Sequence, residues 1–404
     1  MQEIYVGIDI GTKSTRAVIA EERLGGEIVI LGIGEAPSEG VSRGNIVNIE
    51  RAQKPMAKAV ADAEKMADIE VREAFLAVGG DRLRTFSSRG VTAIPKDQES
   101  INSTNVSEVL QAAKAVVIPS EASIIDSVVR EFVIDGQGGI TDPVGMTGVR
   151  MEADVGLLMA PKSTLGNLER AAERAGIMPA GQAATIRGVG RAVLTEDEAE
   201  IGAAIIDMGG GTTEIGVFRR GTLVWAYSFG YAGESITKDM TVGLSLPFET
   251  AEELKLEFGS ALAENVPQED MVSIPGIGGR EPRAVERCFL AHIIEPRVEE
   301  ILILCKDAVL DAELGGKLAA GVILTGGSSR LDDIVPLTEK VFDLPVRTGA
   351  PRAPGEVPDL ARSPEFAGAV GAVYAASERR HRADYVEEDE GLWSKIRNWF
   401  VRKV

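Results

Sequence analysis

Ala203-Ala-Ile-Ile-Asp-Met-Gly-Gly-Gly-Thr212, followed by Thr213 and then Glu214-Ile-Gly-Val-Phe218, sets the architecture of this 404-residue chain. An apolar, β-branched run enters a turn of three glycines and a second apolar run leaves it, which reads as a β-hairpin. Three successive glycines cost conformational entropy and are kept only where the backbone needs them. A phosphate group is such a need. With no Cβ in the way, the N–H groups of Gly209, Gly210 and Gly211 can close on its oxygens, and the hydroxyls of Thr212 and Thr213 add donors. Asp207 cannot favourably face phosphate bare. It is better placed to hold Mg2+ through water, because that ion keeps several waters.

Two further segments repeat the pattern. Val6-Gly-Ile-Asp-Ile-Gly-Thr12 runs through Lys13 and Ser14 into a second strand, Arg16-Ala-Val-Ile-Ala20, with Asp9 placed as Asp207 is. Taken alone this turn is weak evidence, since any tight hairpin accounts for it. The third segment, Gly321-Val-Ile-Leu-Thr-Gly-Gly-Ser328, leads into Leu331-Asp-Asp-Ile-Val335, which reads as helical. The first two lie about half a chain apart, so the expected fold is α/β, a duplicated domain with two hairpins facing each other to grip a triphosphate from both sides.

In this order the three turns resemble the actin/Hsp70/sugar-kinase superfamily: Asp9–Thr12 as first phosphate loop, Asp207–Thr213 as second, Gly326-Gly-Ser328 as adenosine loop. The closer resemblance is to the FtsA family of bacterial cell-division proteins. Pro143-Val-Gly-Met-Thr-Gly-Val-Arg-Met151, Val193-Leu-Thr-Glu-Asp-Glu198, Ile294-Glu-Pro-Arg297 and Val322-Ile-Leu-Thr-Gly-Gly327 all look like it. The resemblance implies an actin-like fold around a nucleotide cleft, with ATP and Mg2+ as ligands. Gly11, Thr12, Lys13 and Ser14 would then meet the phosphates, Gly326, Gly327 and Ser328 the adenosine, and Glu252 and Lys255 the ribose and base. An exposed i,i+3 pair on a helix accounts equally well for the last two. Two departures stand out. The family's usual Gly-Thr-Ser-Lys is here Gly11-Thr12-Lys13-Ser14, which turns the lysine to the other face of a strand. Glu214 stands where an aspartate is usual. No strong general base is legible, so ATP turnover is expected to be slow or negligible.

The layout implied by pattern and resemblance has eight parts. Residues 1–83 and 163–204 form the first actin-like half, interrupted by an inserted α+β subdomain at 84–162, where Gly136, Gly138 and Gly139 mark a loop. Residues 205–234 and 319–376 form the second half, interrupted by a mainly helical insertion at 235–318. A charged linker (377–390) and a membrane-targeting amphipathic helix (391–404) complete the chain. Within the first half, residues 50–68 and 163–175 read as amphipathic helices. By resemblance, the 84–162 subdomain would meet later division proteins, the chain would associate with itself into filaments, and the 235–318 insertion would receive the C-terminal peptide of the tubulin-like protein FtsZ. Arg280, Arg283, Arg287 and Arg297 form a local basic cluster suited to an acidic peptide, or equally a solvated helix face.

The segment Gly391-Leu-Trp-Ser-Lys-Ile-Arg-Asn-Trp-Phe-Val-Arg-Lys-Val404 changes character sharply. On a helix, Leu392, Trp393, Ile396, Trp399 and Phe400 make one continuous stripe, flanked by Lys395, Arg397, Arg402 and Lys403 with no acid. Two of the chain's three tryptophans fall here, which favours a membrane interface with anionic lipid, where indole rings prefer to sit, over a helix docked on the body. With a net charge of −19 the chain is not expected to bind nucleic acid, which needs a basic face. No secretory signal and no apolar run near the roughly 20 residues of a span is read, so the expected place is the cytoplasmic face of the membrane, held peripherally. The two cysteines, Cys288 and Cys305, read as reduced core residues. Two histidines leave zinc or His-based chemistry poorly supported. A sugar or acid kinase of the same fold would leave the tail unexplained, and a chaperone would need a peptide-binding domain after the nucleotide domain.

Overall fold

The computed structural model describes residues 3–23, 26–276, 281–352 and 359–381. The chain opens with an antiparallel meander, β1 (Glu3–Ile10), β2 (Ser14–Arg23) and β3 (Glu27–Pro37). A short hairpin, β4 (Val41–Ser42) and β5 (Asn45–Ile46), leads to helix α1 (Ile49–Ala67) and strand β6 (Glu73–Val78). Helix α1 shows how the sequence makes such an element. Asn48 caps it by accepting from the Arg51 amide, and Asp68 ends it in the left-handed region. Its buried residues Ala52, Pro55, Met56, Ala59, Val60 and Ala63 fall on one stripe. That stripe lies directly on β3, where a Cβ on Gly34 would come within 1.8 Å of the Ala59 carbonyl oxygen. Only glycine allows so close an approach.

Next come β7 (Arg84–Ala93), α2 (Ser103–Lys114), β8 (Ala122–Ile134), β9 (Gln137–Ile140) and β10 (Arg150–Pro161). They enclose a core of their own, with Ile101, Val109, Met151, Val155 and Leu157 fully buried. The glycines expected to mark a loop here divide: Gly136 sits in the turn, but Gly138 and Gly139 lie in β9, paired with β8. The chain then returns through α3 (Lys162–Arg174), β11 (Met178–Ala184), α4 (Thr185–Val193) and α5 (Glu196–Ile201).

The second half repeats the first. It comprises β12 (Ala203–Met208), β13 (Thr213–Arg219), β14 (Thr222–Phe229), α6 (Gly233–Leu244), α7 (Phe248–Phe258), β15 (Met271–Ile274), β16 (Arg283–Glu286), α8 (Arg287–Asp311), β17 (Val322–Thr325), α9 (Ile334–Phe342) and β18 (Val346–Thr348). The first sheet runs β11-β6-β1-β2-β3 and the second β18-β17-β12-β13-β14, in the same order and with the same sense at each matched step. This is the duplicated, actin-like α/β architecture the three turns imply. The second sheet continues through β7 into the inserted strands, joined by the pairing of Tyr227 with Arg84. The Arg84 guanidinium caps that joint 3.7 Å from the Tyr227 ring centre.

Two local readings need correction. Leu331–Val335 is not one helical run: Leu331 is extended and Asp333 adopts φ 60°, so the helix begins at Ile334. What overrides helical propensity is Asp332, which bridges to Ser260 and whose carbonyl accepts from the Ala261 amide. Residues 377–381, assigned to the linker, continue a helix that starts at 367. Cys288 and Cys305 are both free and buried on α8, as expected of core thiols, and burial pushes the Cys305 thiol up.

Candidate functional site

The two sheets meet at a cleft of about 710 Å3, within the usual size of small-ligand sites. Its walls are the three turns. Gly11 N–H donates to the Ser14 carbonyl at 3.1 Å, and Gly209 N–H to the Thr212 carbonyl at 2.9 Å. The two hairpins are therefore closed by the same hydrogen bond at the same distance from their aspartates. The third turn is fastened to the second, since Ser328 Oγ donates to the Gly209 carbonyl at 2.9 Å. Helix α6 ties the second turn from behind through Gly233 N–H to Gly209 O (3.1 Å) and Glu234 N–H to Gly210 O (2.7 Å).

The cleft is lined by Asp9, Gly11, Thr12, Lys13, Ser14, Asp207, Gly209, Gly210, Thr212, Glu252, Lys255, Gly326, Gly327 and Ser328. Gly211 and Thr213 do not line it. A Cβ on Gly211 would strike Thr12 Oγ1 at 2.4 Å, so this glycine lets the first turn nest against the second. Thr213 is fully buried and donates to the Tyr231 carbonyl at 2.7 Å. Lys13 leans across the mouth, its ammonium 3.6 Å from Glu252 and 4.8 Å from the Phe248 ring centre. Lys255 is buried and spends its three N–H donors on Gly233 O (3.1 Å), Thr237 Oγ1 (2.8 Å) and Glu252 Oε2 (2.7 Å). It braces the wall, and Glu252 is the partner left facing the cleft.

Electrostatics set the floor apart. In the β1–β2 ladder Asp9 pairs with Arg16, whereas in the β12–β13 ladder Asp207 pairs with Glu214. Two half-buried carboxyls, Asp9 and Asp207, and the buried Glu214 thus lie near one arginine, whose guanidinium is paired with Glu35 at 2.7 Å. Burial first, then the charge of Asp9, pushes Asp207 up to about 7, with Arg16 pulling the other way. Burial also raises Asp9 against the pull of Arg16. Glu214 is raised well above the carboxylate range by burial and then by Asp207 and Asp9, while the Gly80 and Ile186 amides oppose. Glu214 Oε2 and Thr185 Oγ1 are buried with no hydrogen-bond partner among the described residues. A floor of this kind, with more carboxylates than positive charge, fits a hard divalent cation. Among the described residues no three His, Cys, Asp or Glu side chains converge to hold a metal by themselves.

Sequence reading missed several lining residues: Gly79, Gly80, Thr185, Ile236, Arg330, Glu365 and Gly368. A Cβ on Gly368 would lie 2.4 Å from Asp9 Oδ2, so the 367–381 helix starts directly on the cleft floor. Two glycines three apart, Gly368 and Gly371, in an apolar helical run were the available signal. Gly326 takes φ +81°, and a Cβ there would lie 2.3 Å from Asp207 Oδ1 and 2.7 Å from the Met208 carbonyl. Gly326→Ala is therefore expected to destabilise the fold by about 3 kcal/mol, through the left-handed backbone and the clash together. Urea unfolding measures it, and an unchanged midpoint would contradict the assignment.

The three arginines expected to form a peptide site are each engaged. Arg283 donates to the Leu244 carbonyl (2.8 Å), Arg287 to Phe258 O (2.9 Å) and Asp332 (2.8 Å), and Arg297 to Asp239 (2.6 Å). An acidic peptide would have to replace these partners. Arg280 and the membrane residues Leu392 to Lys403 lie outside the described residues.

Comparison with known proteins agrees with this architecture. Residues 204–371 match the family described as cell division protein FtsA, and residues 80–159 match the SHS2 domain inserted in FTSA. Cell division protein FtsA of Pseudomonas aeruginosa is 34% identical over 369 residues, covering 91% of this chain and 88% of that one. The Escherichia coli K12 protein of that name is 32% identical, covering 99% and 96%. Among solved structures, the PilM-PilN type IV pilus biogenesis complex superposes with a TM-score of 0.66 at 14% identity over 92% of this chain and 98% of that one. MreB5 of Spiroplasma citri bound to ADP gives 0.55 at 14% over 94% and 98%, and the MamK double helical filament gives 0.53 at 13% over 92% and 98%. These structural likenesses carry the actin-like fold alone. The sequence matches carry more: this chain belongs to the FtsA family of cell-division proteins.

Proposed function

We propose that this chain binds ATP with Mg2+ in the cleft between its halves, assembles with copies of itself at the inner membrane face, and tethers the FtsZ ring there. The observation that carries the reading is the pair of matched hairpin turns, each closed by the same hydrogen bond and each backed by a half-buried aspartate on the cleft wall. Gly11, Thr12 and Ser14 face the phosphates from one side, Gly209, Gly210 and Thr212 from the other, and Glu252 is the hydroxyl acceptor for a ribose. Bound Mg2+ would supply the positive charge that Asp9 and Asp207 lack. Relatives of the fold with nucleotide bound, and one that forms a double helical filament, support the same reading.

No described helix is long and apolar enough to cross a membrane. The stripe and basic flanks of residues 391–404 support peripheral attachment instead. The inserted subdomain is the surface we assign to later division proteins, and the 235–318 insertion the one for the FtsZ peptide. Electron microscopy on an anionic lipid monolayer tests the whole. Ordered filaments or arrays are expected with ATP and Mg2+, and isolated particles under those conditions would refute the proposal.

A further inference from the structure

We infer that Lys13 latches the mouth of the cleft in competition with the nucleotide, so that the ribose of an incoming adenosine group must displace its ammonium from Glu252. The inference rests on the nucleotide reading of the cleft and adds an affinity-setting residue to it.

The side chain of Lys13 spans the two halves. Its backbone belongs to the first, since its carbonyl accepts from the Ser38 amide at 2.8 Å. Its stem lies over the second turn, where a Cβ on Gly210 would come within 2.6 Å of Lys13 Cγ. Only a residue without a side chain leaves room for that crossing. The ammonium ends on α7, 3.6 Å from Glu252 Oε1 and 4.8 Å from the Phe248 ring centre. In Gly11-Thr12-Lys13-Ser14 the lysine precedes the serine, and it reaches across to the opposite half.

Glu252 is where latch and ligand compete. Its Oε2 accepts from Lys255 at 2.7 Å and from the Thr237 hydroxyl, both in its own half. Its Oε1 meets only the Lys13 ammonium among the described residues. A ribose hydroxyl that donates to Oε1 takes the place of that ammonium. The Lys13 side chain is 40% exposed, so its ion pair is weak, and the contact with the ring adds a similarly small amount. The latch therefore lowers affinity by about three- to tenfold and does not seal the cleft.

Calorimetry with adenosine tests this, because adenosine carries the ribose and no phosphate for a lysine to meet. Lys13→Met keeps the stem over Gly210 and removes the charge. It is expected to bind adenosine about three- to tenfold more tightly than wild type. Lys13→Arg keeps a cation at the same place and should stay within about twofold of wild type. With 2′,3′-dideoxyadenosine, which offers Glu252 no hydroxyl, wild type and Lys13→Met should bind alike. Added salt should narrow the gap between the two proteins for adenosine, since a half-exposed ion pair is screened. Adenosine affinity unchanged or weakened in Lys13→Met, an equal gain with the dideoxy analogue, or no adenosine binding by either protein would overturn the inference. Failure of both proteins to bind ATP with Mg2+ as well would instead overturn the nucleotide reading on which it stands.

Discussion

Asp207→Asn is expected to stabilise the nucleotide-free protein by about 2 kcal/mol at pH 8 and, in the same variant, to weaken Mg2+-dependent ATP binding about tenfold or more. The carboxyl is half-buried on the cleft wall and is pushed from 3.8 to about 7, by loss of solvent first and by Asp9 second. Its folded value is raised, so the folded state holds the proton more tightly than the unfolded one. The stability this group contributes is present below about pH 4 and is lost as pH rises toward 7. At pH 8 the folded protein carries a half-buried charge with Asp9 beside it. The gap between 3.8 and about 7 is worth about 4 kcal/mol, and sharing with Asp9 reduces the part recovered by one substitution to about half. Asparagine keeps the shape and removes the charge. It also removes the anchor a divalent cation would use, so stability and binding move in opposite directions. Glu198 works the other way: hydrogen bonds from Arg347 hold it at about 2, and its contribution is lost only as pH falls below about 4.5. Melting curves between pH 5.5 and 8, with and without Mg2+ and ATP, isolate Asp207. A wild-type-to-variant difference that does not grow with pH would show that the half-buried charge is not what limits stability there.

The three turns were legible because their chemistry is local. An aspartate, then glycines and hydroxyls, can be read wherever it stands, and Gly11 and Gly209 close their hairpins as that chemistry implies. Helix α1 was legible for the same reason, its buried stripe and its Asn48 cap being written in adjacent residues. Other features depend on what folding brings together. Gly211 reads as a phosphate contact, but it is glycine because Thr12 packs on it. The arginines after residue 280 read as a free basic cluster, yet Asp239 and Asp332 reach Arg297 and Arg287 from distant segments. Thr185 and Glu214 carry no motif that joins them. They become a pair only because α4 and β13 close on Gly79, which no periodicity records.

Removing residues 391–404 should abolish co-sedimentation with anionic vesicles and leave ATP affinity unchanged. The second half of that expectation comes from where the tail is rooted. The 367–381 helix begins against Asp9 on the cleft floor and ends at the opposite end of β1. There His381 lies 2.6 Å from Glu22, Ser377 donates to Glu22 at 2.9 Å, and Arg380 lies 3.8 Å from Glu3. The six steps of extended strand from Asp9 to Glu3 place residue 381 about 20 Å from the cleft. The first half comes from the tail's chemistry. Four basic residues add about 1 kcal/mol each near an anionic surface, and the apolar stripe adds a few more. Ordering the helix takes part of this back. One tail is then a reversible anchor, whereas an assembly of linked tails gains from effective concentration and should hold far more firmly. Membrane binding of the intact protein should accordingly weaken with salt and strengthen when ATP promotes assembly. A truncated protein that still pelleted with vesicles would place the attachment elsewhere on the body.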